Sequence, residues 1–293
     1  MNGIVLIDKP AGWTSHDVVN RWRRLAATKR VGHLGTLDPL ATGLLVLVTG
    51  TATRLAQFFE REEKTYLAEI ELGVVSNTYD ADGEVQATGV AVPGDPEVIL
   101  NALNTFAGSY QQMPPPVSAK KIAGVPAYKL ARKNMPVELK PVKVNVQELD
   151  VMQVLLPRIF IRVTCSAGTY IRSLAHDLGQ RLGCGALLVQ LRRTRVGCFD
   201  VKDSYQLDQL SHFASEGRLL DAIIPSSSLL PHVPAQYMDA LTEKQIRQGR
   251  DFRTSPFVVQ PGAPLVKALS QNGELIAIGQ LVSPNVYHPS TVF

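Results

Sequence analysis

The chain has 293 residues, 45% of them hydrophobic and 19% charged, with a formal net charge of +4. That balance excludes a disordered or fibrous chain, suits one large globular domain plus a small second one, and permits a polyanionic partner without demanding it. Cys165, Cys184 and Cys198 lack metal-ligand spacing and are odd in number, which argues against a secreted disulfide framework and for a reducing, cytoplasmic setting.

Gly3 to Ile7 reads as a short buried strand. It meets Asp8 and Lys9 too soon for a signal peptide, and no apolar run is long enough to cross a bilayer, so no membrane association is expected. Asp8 to Ser15 is a turn, with Ser15 or Asp17 able to cap the helix that follows. Val18, Val19, Trp22, Leu25 and Ala26 share one face of that helix, while Arg21, Arg23, Arg24, Lys29 and Arg30 read as its solvated remainder. Next comes Gly32 to Leu45, where Asp38 sits in a glycine-bracketed turn ahead of the apolar run Leu44 to Val48. Pro39 biases Asp38 away from the helical region and holds it at the mouth of a buried strand. An Asp-Pro pair is also a common cap, so the residues alone leave a cap and a reactive carboxylate both open.

Thr53 to Glu60 reads as a short amphipathic helix, and Lys64 to Leu72 as a strand with Tyr66, Ala68, Ile70 and Leu72 on one face. Asp80 to Glu84 lacks a full calcium-ligand ladder and reads as a hairpin turn. Asp95-Pro96 starts a helix with Ile99, Leu103 and Phe106 inward, ended by Gly108. From Gln111 to Lys143 the chain is rich in proline and lysine, either a surface loop or a basic flap for a nucleic acid backbone. Val144 to Cys165 gives strands separated by Pro157. Thr169 can then cap a helix with Ile171, Leu174, Ala175, Leu178 and Leu182 inward. Arg172 falls at that helix's start, where the macrodipole offers a cation nothing, so a partner carboxylate is expected. Leu188 to Gly197 is a strand in which Leu191 is most simply core. Phe199 to Ile224 is mostly helical by pattern, and Pro225 to Pro234 marks a boundary. Thr242 to Gln248 is a small helix closed by Gly249, and Asn272-Gly273 signals a type I′ hairpin.

Five stretches, in this order, resemble motifs of the TruB family of tRNA pseudouridine synthases. They are Asp8-Lys9-Pro10-x-Gly12-x-Thr14-Ser15; His33 with Thr36, Asp38, Pro39, Thr42 and Gly43; Lys64-x-Tyr66; Cys165 to Leu174 around Thr169, Tyr170 and Arg172; and Leu191-Arg192-Arg193-Thr194. Leu34 departs from the pattern, a threonine being frequent there. The resemblance implies an α/β (α+β) fold, a mixed and largely antiparallel central sheet flanked by helices. A catalytic domain would span 1–230, with a thumb-like basic insertion at about 111–143, and a small β-barrel module similar to a PUA domain would span 231–293. It implies isomerisation of uridine to pseudouridine at the uridine conventionally numbered 55 in the T-arm loop of tRNA, with the base flipped out. Asp38 would then be the catalytic carboxylate and Arg172 its partner, with Tyr66 stacking on the base. Tyr170 would contact substrate, Leu191 would pack on the base, and His33 would fill the vacated stack. The implied partner is the tRNA T-arm stem-loop, with no guide RNA and a monomeric protein. The isomerisation moves neither electrons to an acceptor nor phosphate, so no cofactor or metal is expected. Two rivals are a retaining glycosidase, which needs a second carboxylate about 5–5.5 Å away that no motif supplies, and an RNA-binding chaperone with a vestigial aspartate.

Overall fold

The structure, a computed structural model, describes residues 1–117 and 139–293, with the backbone of 121–122 and 125–126 between them. The basic flap expected near 111–143 lies largely outside the described residues. The backbone is organised around one long sheet whose strands run in the order Ile224–Pro225, Gly3–Lys9, Thr42–Thr49, Ala186–Val196, Lys64–Leu72, Arg158–Cys165, Val142–Leu155 and Gly108–Gln112. Val31–His33 pairs with Thr42–Thr49, and Phe199–Asp200 with Ala186–Val196. The sheet's pairings are antiparallel except where Ala186–Val196 meets Thr42–Thr49. That pairing is parallel and in register only at Arg192/Thr42 and Arg193/Gly43. Ala186–Val196 is therefore a seam between an N-terminal group of strands and the rest. The sheet is mixed and largely antiparallel, as the family resemblance implied.

Period-2 patterning explains the sheet's covered face. Tyr66, Ala68, Ile70 and Leu72 point the same way and are buried. They meet Val18 and Trp22 of helix Ser15–Leu25, Ile99 and Leu103 of helix Pro96–Asn104, Leu174 and Leu178 of helix Ile171–Leu182, and Leu210 of helix Leu207–Ser215. Behind the N-terminal strands, Leu44, Val46 and Val48 pack a second cluster with Leu55, Leu229, Leu230, Leu269 and Ile278. That cluster fixes a small second sheet, a curled half-barrel in the order Ala235–Tyr237, Leu265–Leu269, Leu275–Ser283, Val286–Val292, Phe252–Arg253. The proline-rich stretch 225–234 is accordingly packed, with Leu229, Leu230 and Val233 buried. Among the described residues no helix is long and apolar enough to cross a membrane.

Several local expectations are corrected. Thr14, not Ser15 or Asp17 alone, caps the first helix, in a reciprocal box with Asp17. Ser15 is unavailable because its hydroxyl is turned inward. The residues after Thr49 form a 3₁₀ helix over Gly50–Phe58. Thr169 does not cap: its hydroxyl donates to the Ser166 carbonyl, and Tyr170 holds the cap position, its side chain not serving as the cap. Between Phe199 and Ile224 only Leu207–Ser215 is α-helical, flanked by short 3₁₀ turns. The hairpin at Asn272-Gly273 forms, but only Gly273 takes a left-handed φ, +80°. Its N–H donates to the Ser270 carbonyl beside a bulge at Leu269, so the turn is type I closed by a glycine bulge.

Candidate active site

The Asp38 loop is an apolar arch with a charged crown. Leu34, Leu37 and Ala41 are buried and draw the intervening backbone onto the core. Four outside groups then clamp that backbone. The Ser15 hydroxyl accepts from the Leu37 N–H at 2.8 Å and donates to the Leu37 carbonyl at 3.0 Å. The Pro39 carbonyl accepts from the Gly12 N–H at 2.9 Å and from Lys9 Nζ at 3.2 Å. Arg193 Nη2 donates to the Gly35 carbonyl at 3.0 Å. Gly43 ends the loop at φ +93°, and a Cβ there would lie 2.3 Å from the Arg193 carbonyl oxygen, so only glycine lets the two strands meet.

Lys9 is fully buried, with Nζ also bonded to the carbonyls of Pro10 and Trp13 at 2.9 and 2.6 Å. Burial lowers its pKa to about 8, against an upward pull from Asp38.

Arg172 is the second residue of helix Ile171–Leu182, and its side chain is only 6% exposed. Its Nε lies 3.0 Å from Asp38 Oδ2, and Nη2 donates to Asp38 Oδ1 at 3.1 Å. Nη1 lies 3.3 Å from Asp80 Oδ2 and donates to the Thr78 carbonyl at 3.1 Å, while Nη2 also reaches the Val117 carbonyl at 3.0 Å. Two carboxylates and two carbonyls thus replace the water a buried guanidinium loses and offset the unfavourable helix end.

Asp80 was not foreseen. The hairpin Val74–Ser76 with Val85–Ala87 is present, yet the Asp80 carboxylate turns inward, bonded to the Thr78 hydroxyl at 2.5 Å and the Asp82 N–H at 3.2 Å. The available signal was Arg172 itself, whose five donors exceed what one carboxylate accepts.

Asp38 keeps 39% of its side-chain surface, and this area opens into a cleft. Burial pushes its carboxyl above the usual range; Arg172 pulls it down by charge and hydrogen bond, and Asp80 pushes it further up. Burial outweighs the pull expected of Arg172.

Tyr66 stands opposite Arg193 across one pairing and Val163 across the other. Burial raises the pKa of its hydroxyl, against the charge and hydrogen bond of Arg193, so it works as a neutral phenol. Leu191 and Arg193, two residues apart, face the same way, while Arg192 turns outward to a two-point contact with Asp8 at 2.8 and 3.0 Å. Tyr170 is fixed by Gln112, whose amide exchanges hydrogen bonds with the Tyr170 N–H and carbonyl at 2.8 and 3.0 Å.

The structure brings Asp38, Tyr66, Tyr170, Arg172 and Leu191 to one cleft of about 340 Å³, joined by Lys64 and Arg193. That volume is in the range of small-ligand sites. His33 is not among the lining residues; it ends the strand Val31–His33, its Nδ1 buried without a hydrogen-bond partner and its pKa lowered by burial and then by Arg193. Among the described residues Asp38 is the one carboxylate lining the cleft. Asp80 lies behind Arg172.

Residues 23–171 match the model of the TruB family pseudouridylate synthase N-terminal domain, and 172–230 match that of the tRNA pseudouridylate synthase B C-terminal domain. The chain belongs to the TruB family. It is 52% identical to the tRNA pseudouridine synthase B of Solibacter usitatus over the whole of both chains. To the protein of that name from Syntrophotalea carbinolica it is 47% identical, over 74% of this chain and 71% of the other. Among solved structures, a chain of a Cbf5-Nop10-Gar1 complex superposes with a TM-score of 0.69 at 26% identity, covering 98% of this chain and 83% of that one. A chain of an H/ACA RNP bound to a substrate RNA superposes equally well at 24% identity, over 99% and 84%, which speaks to the fold alone. The TruB cleft draws on both matched spans: Asp38 and Tyr66 lie in the first, Arg172 and Leu191 in the second.

Proposed function

We propose that this chain isomerises uridine to pseudouridine in tRNA, at the T-arm loop position conventionally numbered 55, with Asp38 as the catalytic carboxylate. The observation that carries the reading is the grip of Arg172 on Asp38 inside a cleft walled by Tyr66, Tyr170 and Leu191. The family and the names of its curated relatives supply the substrate class.

A stacked uridine cannot reach Asp38, so the base must leave its loop, at a cost of a few kcal/mol. Tyr66 and Leu191 offer a flat apolar wall that receives it, and Tyr170 closes the far side. His33, neutral and outside the cleft, fills the vacated stack. Asp38, held in place by Arg172, then acts on the reacting nucleotide as nucleophile or base. A retaining hydrolase would need a second carboxylate facing the same space, and Asp80 is engaged elsewhere.

In this reading 1–230 form the catalytic domain and 231–293 an RNA-binding module similar to a PUA domain. The protein acts as a cytoplasmic monomer on tRNA without a guide RNA. The test is incubation of the purified protein with unmodified tRNA transcript, followed by chemical mapping of pseudouridine. A single modified T-loop uridine, lost with Asp38→Asn, is the expected result. An unmodified transcript, or full conversion by Asp38→Asn, overturns the assignment.

A further inference from the structure

Two cations line the cleft without a part in the chemistry of the reading so far. Lys64 is 7% exposed and Arg193 1% exposed. Neither has a carboxylate within 4 Å among the described residues, where the buried Arg172 has two. Lys64 Nζ donates to the Glu62 carbonyl at 2.6 Å. Arg193 holds the Leu44 carbonyl with Nε at 2.7 Å and Gly35 with Nη2, its Nη1 makes a long 3.5 Å contact with the Thr36 carbonyl, and its guanidinium also bonds the Tyr66 hydroxyl. Both line the cleft beside Tyr66 and Leu191. They also crowd one point: a Cβ added to Gly35 would lie 3.3 Å from Lys64 Cε and 3.4 Å from Arg193 Nη1. Burying two positive charges side by side is costly unless negative charge arrives there.

The isomerisation supplies such charge. When the N1–C1′ bond breaks heterolytically, its electron pair stays on the pyrimidine and spreads from N1 to the ring oxygens. The turned ring then bonds to C1′ through C5. The C5 proton leaves and N1 takes one up, so atoms and electrons balance without a co-reactant.

We propose that Lys64 and Arg193 form an anion-receiving wall that stabilises the uracil ring oxygens while the detached base carries negative charge. The wall rests on the functional reading above. It is prebuilt, since strand pairing and carbonyl contacts fix both side chains before substrate enters, and prebuilt donors stabilise developing charge without reorganising. A phosphodiester is the other anion a nucleotide offers. The two cations stand among the buried residues that wall the base, and a backbone phosphate would have to shed its water to reach them.

The experiment is single-turnover conversion of tRNA carrying either uridine or 5-fluorouridine at the target position, followed as loss of the N-glycoside in nuclease digests. The fluorine withdraws electrons and makes the base an easier leaving anion. Lys64→Met leaves the Arg193 clamp on the Asp38 loop intact, and Arg193→Lys retains a charge should the first variant fold poorly. With uridine the rate should fall about 10²-fold, with tRNA affinity and its salt dependence unchanged, and the loss should shrink at least tenfold with 5-fluorouridine. Equal losses on both substrates would mean a merely structural role. Weakened binding with a shallower salt slope would mean a phosphate contact. Either result overturns the inference, as does an unaffected variant. Wild-type protein inactive on every transcript would instead remove the functional reading beneath it.

Discussion

Ser15 and Leu37 are joined twice: one hydroxyl serves both the N–H and the carbonyl of the residue immediately before Asp38. All these atoms are buried, so removing the hydroxyl strands two polar groups away from water. Ser15→Ala should cost about 1–3 kcal/mol of stability and lower turnover more than tRNA affinity. Denaturant unfolding and single-turnover kinetics on the same preparation check both.

Arg172 holds Asp38 by two atoms of its guanidinium and Asp80 by a third. Asp38→Asn keeps the shape and removes the charge, and activity should fall by about 10³-fold or more. Arg172→Lys cannot span both acids with one ammonium and should also lose most activity. Asp80→Asn removes a charge that pushes the Asp38 carboxyl upward, so the acid limb of the pH–rate profile should move to lower pH as the plateau drops. An unmoved limb would show that Asp80 acts by position alone.

The same upward shift has a sign in stability. The folded state binds the Asp38 proton more tightly than the unfolded chain, whose value is near 3.8. Stability conferred by that proton is full below 3.8 and is lost as pH rises through the higher folded value. Subtracting the Asp38→Asn curve from the wild-type curve, by thermal unfolding across pH, should isolate a difference that declines through that window. A rising difference contradicts the burial of the carboxylate.

Lys9 carries the opposite slope. Its folded pKa of about 8 lies below the ordinary 10.5, so the folded form sheds its proton first. Relative to Lys9→Met, wild-type stability should rise as pH climbs from about 8 to 10.5. Urea midpoints over that range report the difference, and a flat line would show that the amine is not held away from water.

Gly43 and Gly217 separate two penalties. Both have left-handed φ, but a Cβ meets backbone only at Gly43. Gly217→Ala should cost about 1–2 kcal/mol from conformation alone, whereas Gly43→Ala should cost more than about 3 kcal/mol and distort the cleft. Equal costs would mean that the strands separate readily.

Much of the fold was legible because period-2 and 3.6-residue patterns report burial directly, as the strand Lys64–Leu72 and the helix Ile171–Leu182 illustrate. At Arg172 the helix start indicated only that some acid must come from elsewhere; that the acid is Asp38 was what the resemblance to the TruB motifs implied. The failures lie where a side chain has two possible employers. Ser15 could cap its own helix or hold a distant loop, and only tertiary structure decides. Asp80 fits a turn whether its carboxylate points out or in, and nothing local records the arginine waiting behind it. Asn272-Gly273 satisfies two turn types, with the bulge at Leu269 deciding between them.

The seam strand Ala186–Val196 also sets an order of events during synthesis. Until it is translated, the arm bearing Asp38 and the arm bearing Tyr66 belong to separate strand groups, and nothing in the sheet joins them. Contacts between residues so far apart along the chain form late. A ribosome-bound fragment ending before residue 186 would hold Asp38 and Tyr66 without the strand that joins their two groups in the sheet, leaving only the Arg172 helix to connect them. The cleft therefore takes its full shape only once the strand that bridges the two groups is in place.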